Sequence, residues 1–365
     1  MKRLVILLMA ICCLFLSSCG WMSGSYVSIK PHEAQLTGSQ SGRLFAADYQ
    51  QLRTVLEQMV QAGTENAVIN VSGYRQERLE WDMDSAVRYL KEIYPLGAYA
   101  IENVSYEIGS GVAHPAVSVN ISYIHGRSEI RKVQDVRDMN AATKVITEAM
   151  DACSDSVVVL IQEYEEIDLV QLAEDYAAQY PNVVMEMPQV AVGIYPDTGK
   201  ARVAEVKFTY QTSRDALRHM QTQVRRIFAS ASLYVNSDAS DAQKYTQLYT
   251  FLMERFDYKQ ETSITPSYSL LNYGVGDCEA FATVYAAMCR QAELDCQVVS
   301  GTRHGESWHW NIIRDGEMYY HVDLLRCSEE GHFQCRTAAE MEGYVWDYSA
   351  YPNFEVIQTQ PAATE

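Results

Sequence analysis

The sequence predicts an α+β protein made of two parts: a duplicated α-β-α-β-β region with mixed sheets, and a C-terminal domain of helices and antiparallel strands. Three observations support this prediction. At 365 residues the chain is longer than one hydrophobic core usually serves. Its hydrophobic content of 48% and charged content of 21% are ordinary for a globular protein. The same order of helical and strand-like patterns occurs twice between residues 45 and 228.

The N-terminus has the pattern of a lipoprotein signal peptide. A basic start, Met1-Lys2-Arg3, precedes an apolar run over residues 4–16 that is too short to cross the ~30 Å core of a bilayer comfortably. The run ends in Leu16-Ser17-Ser18-Cys19-Gly20, which resembles the bacterial lipobox. We therefore predict a signal peptide over 1–19, with Cys19 lipidated and the exported protein anchored to the outer face of a bacterial membrane by its lipid alone. The alternative is an ordinary signal peptide with an incidental cysteine.

Composition also limits the partners of the chain. Residues 20–44 are rich in small and polar types, which predicts a flexible tether. A formal net charge of −18 disfavours nucleic acid as a partner, since contacts with phosphate need Lys and Arg. The same charge argues against a polybasic membrane-binding face.

The region 45–228 contains two predicted repeats, at about 45–135 and 136–228. The first repeat has a helix, a strand, a helix and two strands, at 46–62, 67–71, 82–93, 101–108 and 116–124. The second has the same order, at 141–151, 157–161, 169–179, 190–195 and 203–210. Tyr94-Pro95 and Tyr180-Pro181, which end corresponding helices, lie 86 residues apart. This offset supports an internal duplication.

The duplicated region has no recognisable catalytic constellation. His114, His125 and His219 are isolated in the sequence, and an isolated histidine is more often a surface residue than a ligand. We interpret the repeats as a spacer or as a binding module for a protein partner. A second active site is the alternative.

The C-terminal domain is predicted over residues 238–355. A helical stretch over 215–227 leads out of the second repeat, and a segment rich in serine follows it. The next helix is expected over 241–256, where large apolar residues form one stripe.

Cys278 has the surroundings of a nucleophile. Gly274 and Gly276 indicate a tight turn, and the apolar pattern becomes helical from Cys278 onward. The free N–H groups and the dipole at the start of a helix favour a thiolate and so lower the pKa of a thiol. Asp277 and Glu279 oppose this effect, so a nearby imidazolium is needed as well.

A hairpin after this helix contains a histidine and an aspartate. Strands are expected at 308–313 and 317–325, with a turn at Asp315-Gly316. A two-residue loop there would pair His309 with Val322 and send Asp323 to the opposite face. A three-residue loop would pair His309 with His321 and keep Asp323 on its face. A catalytic triad therefore predicts an odd-numbered or bulged turn.

Three motifs in this order resemble the transglutaminase-like superfamily: Gly-Asp-Cys-Glu-x-Phe-Ala at 276–282, Trp-His-Trp-Asn at 308–311 and Tyr-His-Val-Asp at 320–323. The resemblance covers about residues 240–352 and implies a papain-like arrangement. It implies Cys278 as nucleophile, His309 as base and Asp323 as the group that orients the imidazole. Leu324-Leu325-Arg326-Cys327 then departs from the Thr-Trp-Asp type of run that is frequent in the family.

Other residues complete this expectation. Asn311 is the alternative to Asp323 as the orienting residue. The backbone N–H of Cys278 is the first oxyanion donor, and Asn272 or Tyr268 is expected to supply the second. His321 is expected to be structural, with Trp308 and Trp310 packed around the imidazole.

The expected chemistry is acyl transfer through a thioester, on a peptide, protein or cell-wall peptide substrate. Hydrolysis is favoured over capture of the acyl group by an amine. The alternative is a surface lipoprotein that has lost catalysis and serves as a binding or scaffold protein. No cofactor or metal motif is present in the sequence, and Cys327 with Cys335 could close a short disulfide loop.

Overall fold

The structure is a computed structural model that describes residues 44–109, 115–260 and 265–351. The predicted signal peptide, Cys19 and nearly all of the predicted tether lie outside the described residues. The chain divides into two compact units. The first holds the described parts of Met1–Met59, Glu65–Ala86 and Ser105–Asn120, and the second holds those of Val60–Thr64, Val87–Val104 and Ile121–Glu365. Within the described ranges, no helix has both the length and the apolar character needed to cross a membrane.

The first repeat forms a four-stranded mixed sheet with helices. Its elements in chain order are β1 (Leu44–Phe45), α1 (Tyr49–Ala62), β2 (Asn66–Asn70), α2 (Gln76–Glu92), α3 (Pro95–Ala100), β3 (Ile101–Gly109) and β4 (Ala116–Tyr123). The strand order is β1-β2-β4-β3, with β1 parallel and β4 antiparallel to β2. Helix α2 begins earlier than predicted because the buried Leu79 extends its apolar stripe by about one turn.

The second repeat has the same topology. Its elements are α4 (Arg127–Ile130), β5 (Gln134–Asp138), α5 (Met139–Asp151), β6 (Ser156–Glu163), α6 (Leu169–Gln179), β7 (Gln189–Tyr195) and β8 (Arg202–Thr209). The strand order is β5-β6-β8-β7, again with the first pair parallel and the others antiparallel. The α+β fold class is confirmed.

Each repeat contains one strand more than predicted, so its order is β-α-β-α-β-β. The additional strands, β1 and β5, are edge strands. Strand β1 has only two residues, and β5 has the sequence Gln-Asp-Val-Arg-Asp without an apolar face. Neither strand shows the apolar alternation on which a strand prediction rests.

The remaining elements follow from residue 214 onward. The helices are α7 (Arg214–Tyr234), α8 (Asp241–Met253), α9 (Pro266–Tyr273), α10 (Cys278–Gln291) and α11 (Leu324–Glu330). The strands are β9 (Asp257–Tyr258), β10 (Val275–Gly276), β11 (Cys296–Arg303), β12 (Glu306–Asp315), β13 (Met318–Val322) and β14 (Tyr344–Trp346). Strands β9 and β10 pair in parallel, and the other four form a sheet of order β13-β12-β11-β14.

Helix α10 lies in the centre of the core beside this sheet. Phe281, Val284 and Tyr285 on it are buried. The Tyr285 hydroxyl donates to the Tyr245 carbonyl of α8 at 3.0 Å, and the Tyr245 hydroxyl donates to the Asp295 carbonyl at 2.6 Å. A second apolar cluster, which includes Val299, Trp310, Ile312 and Tyr344, also involves residues of the sheet. These contacts fix the start of α10 relative to β12.

The β12–β13 hairpin contradicts the predicted turn. Asp315 pairs with Met318, so the loop consists of two residues, Gly316 and Glu317. Gly316 has φ +62°, and glycine at the first position of a two-residue loop is typical of a type II′ hairpin. The expectation of an odd-numbered or bulged turn is therefore wrong.

The pairing continues as Asn311 with Val322, after which β13 ends. Asp323 is the N-cap of α11 instead of a strand residue, because its carboxylate accepts hydrogen bonds from the N–H groups of Leu325 and Arg326.

Cys327 and Cys335 do not form the disulfide considered from the sequence. Both thiols are free, with Cys327 buried and Cys335 exposed. The Cys327 thiol on α11 donates to the carbonyl oxygen of Gln334 at 3.5 Å.

Candidate active site

Cys278 is the first residue of α10, as the sequence predicts. Gly274 ends α9 with φ +79°, a conformation that favours glycine. A Cβ at Gly276 would lie 3.0 Å from side-chain atoms of Leu270 and Ala280, so a larger residue here would crowd both neighbours. Asp277 caps the helix by accepting a hydrogen bond from the N–H of Ala280 at 2.9 Å. The thiol of Cys278 is partly buried.

His309 lies directly opposite this thiol. The Cys278 Sγ atom is 4.0 Å from His309 Nδ1. Strand β12 positions the imidazole by pairing His309 with Ser300 on β11. The structure thus brings together the predicted nucleophile and the predicted base at a distance that one small rotation can close.

The pKa of Cys278 does not follow the expected direction. Burial raises the pKa of this thiol above its ordinary value, and the negative charges of Asp277 and Asp323 raise it further. Hydrogen bonds from the backbone N–H groups of His309 and Glu279 lower the pKa, but by less. The raised pKa favours the protonated thiol, and His309 is the neighbouring group that can accept its proton.

The hydrogen bonds of Asp323 go to groups other than the His309 imidazole. Its carboxylate is 1% exposed. One oxygen accepts from the N–H groups of Leu325 and Arg326, and the other accepts from Trp308 Nε1 at 2.8 Å and the Tyr344 hydroxyl at 2.7 Å. No hydrogen bond joins it to His309 among the described residues. The two-residue hairpin loop is the physical reason, because it directs Asp323 to the face opposite His309.

Arg303 balances the charge of this carboxylate. Its guanidinium lies 3.7 Å from Asp323 and also contacts Glu329. The Arg303 side chain covers the ring of Trp308 at 5.2 Å. Asp323 therefore positions Trp308, the residue before His309, and does not orient the imidazole directly.

Asn311 does not replace Asp323 as the orienting residue. Its side-chain amide donates to the Ala282 carbonyl of α10 at 2.9 Å and, at 3.4 Å, to the Gln297 carbonyl of β11. Asn311 is fully buried, and its Oδ1 has no hydrogen-bond partner within the part of the chain that the structure describes. Asn311 links α10 to the sheet without contacting His309.

Of the two predicted oxyanion residues, Tyr268 has its hydroxyl engaged elsewhere, and Asn272 stays a prediction. The Tyr268 hydroxyl donates its one hydrogen to Gln223 Oε1 on α7 at 2.7 Å. Asn272 is exposed and forms no hydrogen bond with Cys278 or His309 among the described residues. The backbone N–H of Cys278 stays the first candidate donor.

Tyr258 is a site residue that sequence reasoning missed. It pairs with Gly276, two positions before Cys278, and its ring centre lies 6.0 Å from that of Trp308. Burial raises the pKa of Tyr258, and the charges of a Cys278 thiolate and of Asp277 raise it further. The strand pairing thus places Tyr258 beside the residues that lead into Cys278. Strand β9 has only two residues, so no periodic pattern could have indicated it.

The buried pair of His321 and Trp310 lies away from the nucleophile. Trp310 Nε1 donates to His321 Nδ1 at 2.9 Å. Burial lowers the pKa of His321 to about 4, so this imidazole is neutral at pH 7. His321 is structural, as expected, whereas Trp310 packs against it and not around His309. In the described ranges, no group of three or more His, Cys, Asp or Glu side chains could hold a metal ion.

Residues 229–352 match the family model of the transglutaminase-like superfamily. With a cysteine at a helix N-terminus facing a histidine on a sheet, this segment is a transglutaminase-like domain. A comparison with curated protein sequences gives no match.

Three solved structures match parts of the chain at low identity and low TM-score. The first, described as a TGase, has 10% identity and a TM-score of 0.28, and the match covers 50% of this chain and 54% of that one. A candidate cysteine protease from Cytophaga hutchinsonii has 11% identity and a TM-score of 0.26, and the match covers 43% of this chain and 70% of that one. A candidate protease from Parabacteroides distasonis has 8% identity and a TM-score of 0.22, and the match covers 75% of this chain and 40% of that one. The chain thus spans about half the length of the TGase.

Proposed function

We propose that the protein hydrolyses an amide bond of a peptide, protein or cell-wall peptide through a thioester on Cys278. The observation that carries this proposal is the 4.0 Å approach of Cys278 Sγ to His309 Nδ1 at the start of α10. A general base at this position can activate a thiol whose pKa is raised by burial.

The proposed reaction has two stages. His309 Nδ1 takes the proton of the thiol while Sγ attacks the substrate carbonyl, and the backbone N–H of Cys278 and the Tyr258 hydroxyl bind the oxyanion. His309 then gives the proton to the leaving amine, which departs as the thioester forms. In the second stage His309 removes a proton from water, the resulting hydroxide attacks the thioester, and the carboxylic acid leaves as the thiol re-forms.

Hydrolysis is favoured because the site is open to solvent. Cys278 and His309 are both partly exposed, and Glu279 beside them is exposed. Water can therefore reach the thioester from the same side as the substrate. Transamidation would need an amine to outcompete this water.

A catalytically inactive scaffold is the second candidate function. The observation that favours it is the position of Asp323, which leaves the second ring nitrogen of His309 without a carboxylate partner among the described residues. In this case the domain would keep the fold and bind a partner without turnover.

Mass spectrometry of a peptide mixture, with and without an added primary amine, tests these proposals. We expect hydrolysed peptides with the native chain, little amine adduct, and no product with Cys278→Ala or His309→Ala. Cys335→Ala, which removes a different exposed thiol, is the matched control and should leave turnover unchanged. Turnover that persists in Cys278→Ala would contradict the mechanism, and absence of product from the native chain would favour the scaffold.

Alkylation by iodoacetamide gives a second readout that needs no substrate. Because the pKa of Cys278 is raised, its labelling rate should keep increasing as the pH rises past the pKa of a free cysteine. A rate already maximal at pH 7 would instead indicate a preformed thiolate–imidazolium pair.

We further propose that this chemistry takes place outside the membrane, with the chain anchored through lipid on Cys19. The lipobox-like sequence supports this location. The chain with Cys19→Ser should move from the membrane fraction to the soluble exported fraction. Retention of that variant on the membrane would exclude the anchor.

A further inference from the structure

A cavity of about 750 Å³ begins at His309 and extends along α10. Three elements form its walls: α10, β11 and the helix α6 of the second repeat. All three belong to the same compact unit. The cavity therefore connects the candidate active site with a region of the chain that has no catalytic motif of its own.

The wall on α10 is one stripe of the helix. Glu279, Thr283, Ala286 and Arg290 line the cavity at successive turns, starting beside Cys278. At 1.5 Å per residue this stripe is about 16 Å long. An extended peptide rises about 3.3 Å per residue, so the wall matches about five residues.

The wall on β11 comes from residues 296–300, the part of the strand that β14 does not pair with. Strand β14 pairs only with Gly301–Arg303, so no strand of the described ranges covers the outer edge of residues 296–300. Val298 and Ser300 line the cavity from this segment. The Tyr351 hydroxyl donates to the Val298 carbonyl and accepts from the Ser300 N–H, at 3.1 and 3.3 Å.

The third wall comes from the second repeat. Asp175, Ala178 and Gln179 of α6 line the cavity. Arg290 fixes this helix to α10, since its guanidinium donates to the Gln179 carbonyl and lies 5.1 Å from the ring centre of Tyr180. The end of α6 is thus held beside the cavity by a specific contact.

The cavity has an excess of negative charge. Asp175, Glu279 and Asp295 supply three carboxylates to its lining. Arg290 is the one Lys or Arg among the lining residues, and part of its hydrogen-bonding capacity is used on Gln179. A cationic side chain is therefore the complementary group for an occupant.

We propose that this cavity is the substrate cleft, and that α6 of the second repeat recognises a cationic side chain of an extended peptide through Asp175. This inference rests on the proposed function, because His309, the proposed base, lines the cavity. It assigns the second repeat to the substrate-binding machinery.

Binding to the full chain carrying Cys278→Ala tests the inference without catalysis. The probes are two fluorescein-labelled peptides, Ala-Ala-Lys-Ala-Ala and Ala-Ala-Glu-Ala-Ala, in fluorescence anisotropy at pH 7 and low salt. We expect the lysine peptide to bind about tenfold tighter than the glutamate peptide. This difference should shrink in about 0.5 M salt.

Two charge reversals on the same helix locate the effect. Asp175→Lys should abolish the preference for the lysine peptide. Glu174→Lys makes the same change at the next exposed residue, which does not line the cavity, and should leave the preference intact. Circular dichroism of both variants checks that they fold.

The outcomes separate this inference from the proposed function. Equal affinity for the two peptides, binding of neither, or an equal loss of preference in both variants would overturn the inference. A preference for lysine that depends on Asp175, in a chain without Cys278-dependent turnover, would support the cleft and reject hydrolysis.

Discussion

At the scale of single residues, the site combines a close pair with a carboxylate that serves it indirectly. Cys278 and His309 meet across 4.0 Å, whereas Asp323 binds Trp308 and Tyr344. The carboxylate therefore acts on the base through the position of Trp308. Its effect on catalysis should differ from that of an aspartate bonded to the imidazole.

Replacement of Asp323 by Asn should distinguish these two roles. If Asp323 only positions Trp308, kcat should fall by less than about tenfold, and the acid limb of the pH–rate profile should keep its pKa. An aspartate that orients the imidazole would give a loss of about 10⁴-fold instead. Asp323→Ala should lower the free energy of unfolding by about 3 kcal/mol in urea denaturation, since it leaves buried donors without an acceptor.

His321 should make the stability of the domain depend on pH. Burial lowers its pKa to about 4, so the folded state resists protonation while the unfolded chain binds a proton below its ordinary pKa of about 6.5. Stability from this group is complete above pH 6.5 and is lost as the pH falls towards 4. Urea denaturation at pH 7 and pH 4.5 should show a loss of about 2 kcal/mol that is absent in His321→Gln. An equal loss in both proteins would assign it to other groups.

At the scale of elements, Gly301 allows β14 to approach the sheet. A Cβ there would lie 2.3 Å from the Val345 carbonyl oxygen and 2.7 Å from the Trp310 ring. Gly301→Ala should therefore lower the free energy of unfolding by about 2 kcal/mol, measured by urea denaturation. Gly109→Ala, whose added Cβ would be 3.4 Å from the Ala116 carbonyl oxygen, is the control and should change it by less than about 0.5 kcal/mol. Similar losses in both variants would contradict this account.

The predictable elements are those with a complete local signal. Helix α6 runs over Leu169–Gln179 as predicted, because Asp168 caps its start and Tyr180-Pro181 follows its end. The start of α10 was also predictable, since two glycines precede Cys278. The hairpin register was not, because a turn at Asp315-Gly316 is compatible with loops of two or three residues and each places Asp323 on a different face.

The contacts of Tyr268 and Tyr258 could not be predicted for a similar reason. Tyr268 and Asn272 precede Cys278 closely in sequence, but α9 directs the Tyr268 hydroxyl to Gln223 on α7. Tyr258 approaches the site through the pairing of β9 with β10, a long-range contact between two very short strands. Sequence spacing carries no information on such a contact. The Cys278–His309 pair was predictable because each residue lies in a motif that resembles the transglutaminase-like superfamily, at 276–282 and at 308–311.

At the scale of the whole molecule, the transglutaminase-like segment does not contain all of its own core. The family match begins at residue 229, inside α7. Leu217, Val224 and Phe228 of this helix are buried in the same hydrophobic cluster as Phe281 and Tyr285 of α10. The cluster therefore depends on residues that precede the matched segment.

A chain that starts at residue 229 should consequently be less stable than one that starts at residue 212. The loss of four buried side chains, those of Leu217, Met220, Val224 and Phe228, predicts a difference of roughly 6 kcal/mol in the free energy of unfolding. Urea denaturation of the two chains measures it. Equal stability would show that α7 contributes little to the core.

The hydroxyl of Tyr351 on the outer edge of β11 has a consequence for solubility. An uncovered strand edge can accept a strand from a second molecule, and sheets of separate chains then join into aggregates. Tyr351 occupies one acceptor and one donor of that edge, on Val298 and Ser300. An incoming chain must displace the ring before it can pair there. A single aromatic side chain thus opposes self-association of the concentrated protein through its central sheet.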